Sequence, residues 1–190
     1  MRTSILIAVV LAAPLSAATI DVRVTTRSGA PVENAVVYAV PAKPMPLVQK
    51  VAVMDQINRT FVPHVLPVQT GTWVEFPNSD NTRHQVFSAS PARKFSTPLY
   101  IGKPARPIQF PAPGVVAIGC SIHEQMSAYI VVVDTPYFAT TDGSGKSAIA
   151  NVDGGEYTFY VWSPRMKSDA KPQTLQVAAE GRSQVSFVAE

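Results

Sequence analysis

The chain of 190 residues holds a single cysteine. No internal disulfide is possible, so the unpaired thiol has to be accounted for by burial or by chemistry. Helical signals are nearly absent: no window of a dozen residues repeats apolar positions at three and four, and seventeen prolines punctuate the sequence. Charge is scarce, at 15% of residues, and nearly balanced at a formal +3, which predicts neither nucleic-acid binding nor attraction to a membrane surface. No apolar run approaches the roughly 20 residues that span a bilayer, so no stable membrane insertion is expected. The run Ile5 to Leu15 instead follows Arg2 and precedes Ser16-Ala17-Ala18, small residues of the kind a signal peptidase requires. Residues 1–18 read as a cleaved export signal, and the mature chain as periplasmic or secreted.

What the chain does contain is a succession of short alternating or apolar runs parted by Gly, Pro, Asn, Asp and Ser. They include Ile20 to Thr25, Ala35 to Val40, Phe61 to Val68, Thr72 to Phe76, Gln85 to Ser88, Val115 to Gly119, Ala128 to Asp134, Ser147 to Asn151, Tyr157 to Trp162 and Gln184 to Val188. This pattern predicts an all-β chain of sandwiches or barrels, with 46% apolar residues to fill a core.

The chemistry concentrates in Gly119-Cys120-Ser121-Ile122-His123-Glu124-Gln125-Met126, between two expected strands. A thiolate, an imidazole and a thioether at three-residue spacing suit copper better than other common metals. A trigonal site needs a second imidazole, from His64 or His84. His84 opens the strand Gln85 to Ser88 at a loop-to-strand corner, where it can reach the mouth of a sandwich. His64 lies within Phe61 to Val68, on one face with Val62, Leu66 and Val68, where packing is the ordinary role. His84 is the preferred partner and His64 the alternative. A structural zinc would want four strong ligands, commonly several thiolates, and methionine is not among its usual ones. A nucleophilic Cys-His pair is weaker still, because a histidine on the same tight loop is better placed to share a metal than to act as a base.

Other motifs read as ordinary structure. Gly145-Lys146-Ser147 hints at a phosphate loop, but Thr140 stands where its first glycine should be. Asn58-Arg59-Thr60 fits a glycosylation acceptor, a pattern common by chance. Arg93, Lys94, Lys103 and Arg106 form a basic set that either is simply solvated or meets an acidic redox partner.

Residues 54–134 resemble the cupredoxins, the plastocyanin and amicyanin superfamily. The elements are Gly71-x-x-Val74-x-Phe76-x-Asn78, then His84, Pro113-Gly114 and Cys120-x-x-His123-x-x-Met126, whose short spacing is similar to that of amicyanins. The resemblance implies a Greek-key β-sandwich and one type 1 copper ion held by His84, Cys120, His123 and Met126. Amicyanins place an asparagine directly after the first ligand histidine, where this chain has Gln85; Asn78 or Asn81 could take over its side-chain links. Two flanking segments resemble halves of a carboxypeptidase-regulatory-like or transthyretin-like sandwich: Ile20 to Val40 with its Gly29-Ala30-Pro31 turn, and Asp142 to Trp162. The fuller pattern resembles exported bacterial proteins labelled methylamine utilisation proteins.

The expected layout is therefore one sandwich from 19–48 plus 135–190, with a cupredoxin domain of 49–134 inserted. The expected function is outer-sphere electron transfer with a redox partner protein, without catalysis or a small-molecule substrate. The alternative is a periplasmic copper carrier or storage protein with a β-sandwich interaction module.

Overall fold

The computed structural model describes residues 17–104 and 106–189. The apolar segment of the expected export signal lies outside the described residues. Ala18, the last residue of that expected segment, opens the first strand and is buried opposite Val152. Among the described residues there are seventeen strands and no helix, hence none long and apolar enough to cross a membrane.

Two sheets draw on both ends of the chain. β1 (Ala18–Thr26) lies between β14 (Lys146–Val152) and, in parallel, β17 (Arg182–Ala189). The facing sheet has the order β13 (Phe138–Thr140), β2 (Val36–Pro41), β15 (Gly155–Trp162) and β16 (Gln173–Val177). Period-two alternation builds the core between them: Ile20, Val22 and Val24 of β1 face Tyr157, Phe159 and Val161 of β15, all buried.

Two further sheets use the residues between. One has the order β10 (Ile108–Gln109), β7 (Trp73–Glu75) and β3 (Val51–Val53). The other runs β6 (Val65–Gln69), β12 (His123–Val133), β11 (Gly114–Cys120), β8 (Phe87–Ser88) and β9 (Phe95–Ser96). Phe76, Phe110, Val116, Ile118, Ala128, Ile130 and Val132 pack into one buried cluster with Cys120 and Met126. The hairpin β4 (Asp55–Ile57) and β5 (Thr60–Val62) stands apart from both sheets. No strand of the first pair of sheets is bonded to a strand of the second pair.

The expected run Phe61 to Val68 is two strands. Pro63 has no N–H to donate, and the chain leaves the β4–β5 hairpin at Val62 and joins a different sheet from Val65. Pro67 is tolerated because β6 is a sheet edge. His64 sits in the break, exposed, with its ring edge-on to Tyr129 at 5.8 Å. β4, β9 and β13 have two or three residues each, too short to show a period.

The turn Asp142 to Lys146 shows how tightly the first pair of sheets closes. The Asp142 carboxylate accepts from Ser144 N, Ser144 Oγ and Lys146 N, and these bonds hold it well below the usual carboxylate range. Gly145 has φ +71°, and a Cβ there would lie 2.5 Å from the Val24 carbonyl oxygen. Gly145→Ala should therefore destabilise the protein by about 2 kcal/mol or more, read as a lower denaturant midpoint at unchanged slope.

Candidate metal centre

The turn between β11 and β12 is only Ser121-Ile122, so Cys120 and His123 face each other as the last pair of the hairpin. One step back the register slips: Gly119 lies opposite Ser127, which leaves Glu124, Gln125 and Met126 as extra residues on β12. Such a bulge re-aims side chains. Glu124 and Gln125 face solvent, whereas Met126 is turned into the core at 1% exposure. Cys120 is 5% exposed and His123 half-buried.

His84 arrives from a loop with little strand character. Its N–H and C=O bond Tyr100 O and Tyr100 N, both at 3.0 Å, an isolated bridge that fixes its backbone. The Tyr100 hydroxyl donates to Phe76 O and accepts from Gln56 Nε2. Burial pushes that phenol up to about 12, against the Gln56 hydrogen bond, so it stays a neutral donor. Asn78 braces the same loop: its Nδ2 donates to Thr82 O and Tyr100 O, at 2.9 and 2.7 Å, and its Oδ1 accepts from Asp80 N. It ties the His84 loop to itself and to Tyr100, with no bond to the Cys120 turn.

The ring of His84 is fully buried and held by Asp80, a residue that the sequence did not single out. Asp80 Oδ2 lies 2.7 Å from His84 Nε2 and accepts from Arg59 N at 2.8 Å; Asp80 Oδ1 accepts from Asn58 N at 2.6 Å. Asn58 and Arg59 form the two-residue turn of the β4–β5 hairpin, with φ of 53° and 56°. This is a type I′ turn, whose successive N–H groups make a small anion cradle. Burial alone would raise the Asp80 pKa; the Arg59 amide, the His84 ring and the Asn58 amide outweigh it and hold the carboxyl below its ordinary range. An ionised carboxylate only accepts, so His84 Nε2 carries the proton and Nδ1 presents its lone pair.

That lone pair points at the other two groups. His84 Nδ1 is 3.1 Å from His123 Nδ1, and His123 Nδ1 is 3.8 Å from Cys120 Sγ. The two rings stand at 69°, centroids 4.9 Å apart, and the three donor atoms lie within 4.8 Å of one another. Burial, with His84 and Arg59 adding to it, lowers the pKa of His123 and so favours the neutral imidazole. The backbone N–H of Gln85 points at Cys120 Sγ from 3.5 Å, while the Gln85 side chain bonds Ser96 Oγ and Thr97 O. A backbone donor to the sulfur is therefore present despite the glutamine. His84, Cys120 and His123 are thus brought together, Met126 is buried in the adjoining cluster, and His64 is not part of the group.

Asn78→Ala would leave Thr82 O without its donor, take from Tyr100 O one of its two donors, and remove the acceptor of the Asp80 amide. It should cost about 2–3 kcal/mol and speed hydrogen exchange at the Asp80 amide, measured by denaturation and by amide exchange.

No family model matches the chain, and no curated protein does. Solved structures do resemble it. A copper-containing nitrite reductase from Thermus scotoductus shares 26% identity over 48% of this chain at a TM-score of 0.41, and the chain spans 25% of that enzyme's length. An oxidised amicyanin variant shares 21% over 44% of this chain and 82% of its own, at 0.41. A purple cupredoxin from Nitrosopumilus maritimus shares 21% over 43% of this chain and 99% of its own, at 0.39. The fold of the described residues is all-β, built from several sheets, and the solved structures that resemble part of it include an amicyanin and a purple cupredoxin.

Proposed function

We propose that the chain is a type 1 copper protein that carries single electrons, its ion held by His84 Nδ1, Cys120 Sγ, His123 Nδ1 and, axially, the Met126 thioether. The observation that carries this reading is the convergence of two Nδ1 atoms and one Sγ within 4.8 Å. The fit can be tested by triangle arithmetic. With metal–nitrogen and metal–sulfur bonds of about 2.0 and 2.3 Å, the gaps of 3.1 Å between the imidazoles and 3.8 Å from His123 to the sulfur are each short enough for one ion to bridge. A thiolate and a thioether favour Cu(I), and imidazole serves both oxidation states, so the set supports one-electron cycling rather than a structural zinc.

Copper would supply the redox couple; the residues described here supply a site that needs little rearrangement. Asp80 fixes the His84 tautomer and ring. The Gln85 amide donates toward the sulfur, and such a bond tunes a thiolate site. His84 and Cys120 are closed to solvent, which favours retention of the ion over hand-off and places the carrier reading second. Half-buried His123 offers the electron its exit. Ile122 beside it, with Leu99 and Ile101 either side of Tyr100, exposes apolar surface that a redox partner would cover. Asp80 is no general base, because its oxygens already accept from three donors.

The layout proposed with this function is a cupredoxin domain of residues 49–134 inserted in a carboxypeptidase-regulatory-like sandwich of 19–48 plus 135–190. Its support is that β1 and β17 pair in one sheet while β3 to β12 pair only among themselves. The apolar run Ile5 to Leu15 before Ser16-Ala17-Ala18 supports an exported chain.

The full chain loaded with Cu(II) should show intense thiolate-to-copper charge transfer. Cys120→Ser and His84→Ala should each abolish the colour and His64→Ala should leave it; a coloured Cys120→Ser protein overturns the assignment. Asp80→Asn should keep the fold but weaken copper binding about 10–100-fold, measured by competition with a chelator.

A further inference from the structure

A cleft of ≈ 630 Å³ lies between the two pairs of sheets, away from the metal centre. One wall is aromatic. Tyr38 of β2 and Tyr160 of β15 are cross-strand partners, their rings stacked at 5.2 Å and 15°, and Trp162 follows on the same face of β15. The other wall is aliphatic, from Val131 and Val133 on one face of β12. Two carboxylates line the cleft, Asp134 and Asp169, and among the described residues no lysine or arginine does. Asp134 Oδ1 accepts from Thr70 Oγ1 at 2.5 Å. Asp169 has no hydrogen bond or ion pair among the described residues, although its charge, after burial and Tyr160, adds to the upward shift of the Tyr38 phenol. Lys167 and Lys171 flank Asp169 in the chain; Lys171 does not line this cleft but an adjoining one, which Asp169 and Ala170 also border.

We propose that this cleft takes a guanidinium group, the side chain of an arginine presented by a partner protein. A planar, weakly hydrated cation can stack on the tyrosine and tryptophan faces while its fork meets a carboxylate. A lysine ammonium is more strongly hydrated and has no flat face, so the valine wall costs it more. The two carboxylates choose the sign of the occupant, and the aromatic wall chooses its shape. Gly114 borders the cleft and Cys120 ends the same strand, six residues on, which at 3.3 Å per residue is about 20 Å away. A partner held here would leave His123 free to exchange electrons.

The test is titration of the metal-free full chain with acetyl-Gly-Arg-Gly-amide and with its lysine counterpart, followed by amide NMR shifts. Saturable shifts at Tyr160 and Trp162 are expected with the arginine peptide, and binding about tenfold weaker with lysine. Asp169→Asn, at an exposed position, should weaken the arginine peptide about fivefold or more without moving the unfolding midpoint. Tyr160→Leu, which keeps the carboxylates, should weaken it as well. The proposal is overturned if the shifts do not saturate by about 10 mM, a bound of −2.7 kcal/mol. It is equally overturned if both peptides bind alike, or if Asp169→Asn binds like the parent.

Discussion

The structure turns on burial of both faces of one strand. β12 ends in Ile130-Val131-Val132-Val133, four consecutive buried residues. Ile130 and Val132 enter the cluster that contains Cys120 and Met126. Val131 and Val133 enter a second, with Val36 and Val65, against which Tyr38, Tyr129, Phe138 and Trp162 pack. Each such side chain contributes about 1.5–3 kcal/mol of burial, and a one-residue slip would exchange the two sets. Strand register is thereby fixed from both sides. His123 and Met126 belong to the same strand, so the far end of the metal centre inherits its position from packing about 13–20 Å away along the ladder. The β11 partners, Gly114 to Gly119 opposite Val132 to Ser127, carry that register to Cys120.

His84 depends on a different kind of constraint. Its loop, from Phe76 to Arg83, offers no continuous apolar run, and polar groups do the positioning. Asn78 closes the loop on itself, Tyr100 clamps the His84 backbone, and Asp80 joins the ring to the Asn58-Arg59 turn. Three of the four donors are thus placed by apolar register, and the fourth, His84, by a hydrogen-bond network. A network of that kind is rigid only when every member is satisfied, and here the carboxylate is ionised, with three donors on two oxygens. The Gln56 Oε1 atom, buried without a partner, is the exception in the surrounding shell.

What the sequence made legible follows the same division. The Cys120, His123 and Met126 spacing is local, so its grouping could be read directly, as could the unbroken apolar run of β12. His84 could be reached through its loop-to-strand corner. Asp80 could not, since its meaning comes from amides 21 and 22 residues earlier in the chain. Its one local trace is the i, i+4 step to His84, which outside a helix carries no weight. The run Phe61 to Val68 misled because its composition is uniformly strand-like while its pairing partners are not: Phe61 belongs with Gln56 and Val65 with Tyr129. The slip opposite Gly119, which turns Met126 inward and leaves Glu124 and Gln125 outside, was likewise invisible, because alternation alone would have put Glu124 and Met126 on one face.

β11 and β12 also make the molecule directional. Their Cys120–His123 end carries the soft donors and the exposed Ile122; their Gly114–Val132 end borders the acidic, aromatic cleft. The ends differ in what they could recognise, apolar surface at one and a cation at the other, and a rigid two-strand ladder separates them. A group bound at the cleft would meet side chains that β12 shares with both clusters, so it would find a packed wall rather than a hinge. Coupling between the ends would then be positional: a partner captured at one end is restrained near the other, and its effective concentration at His123 rises without any change in the donor set.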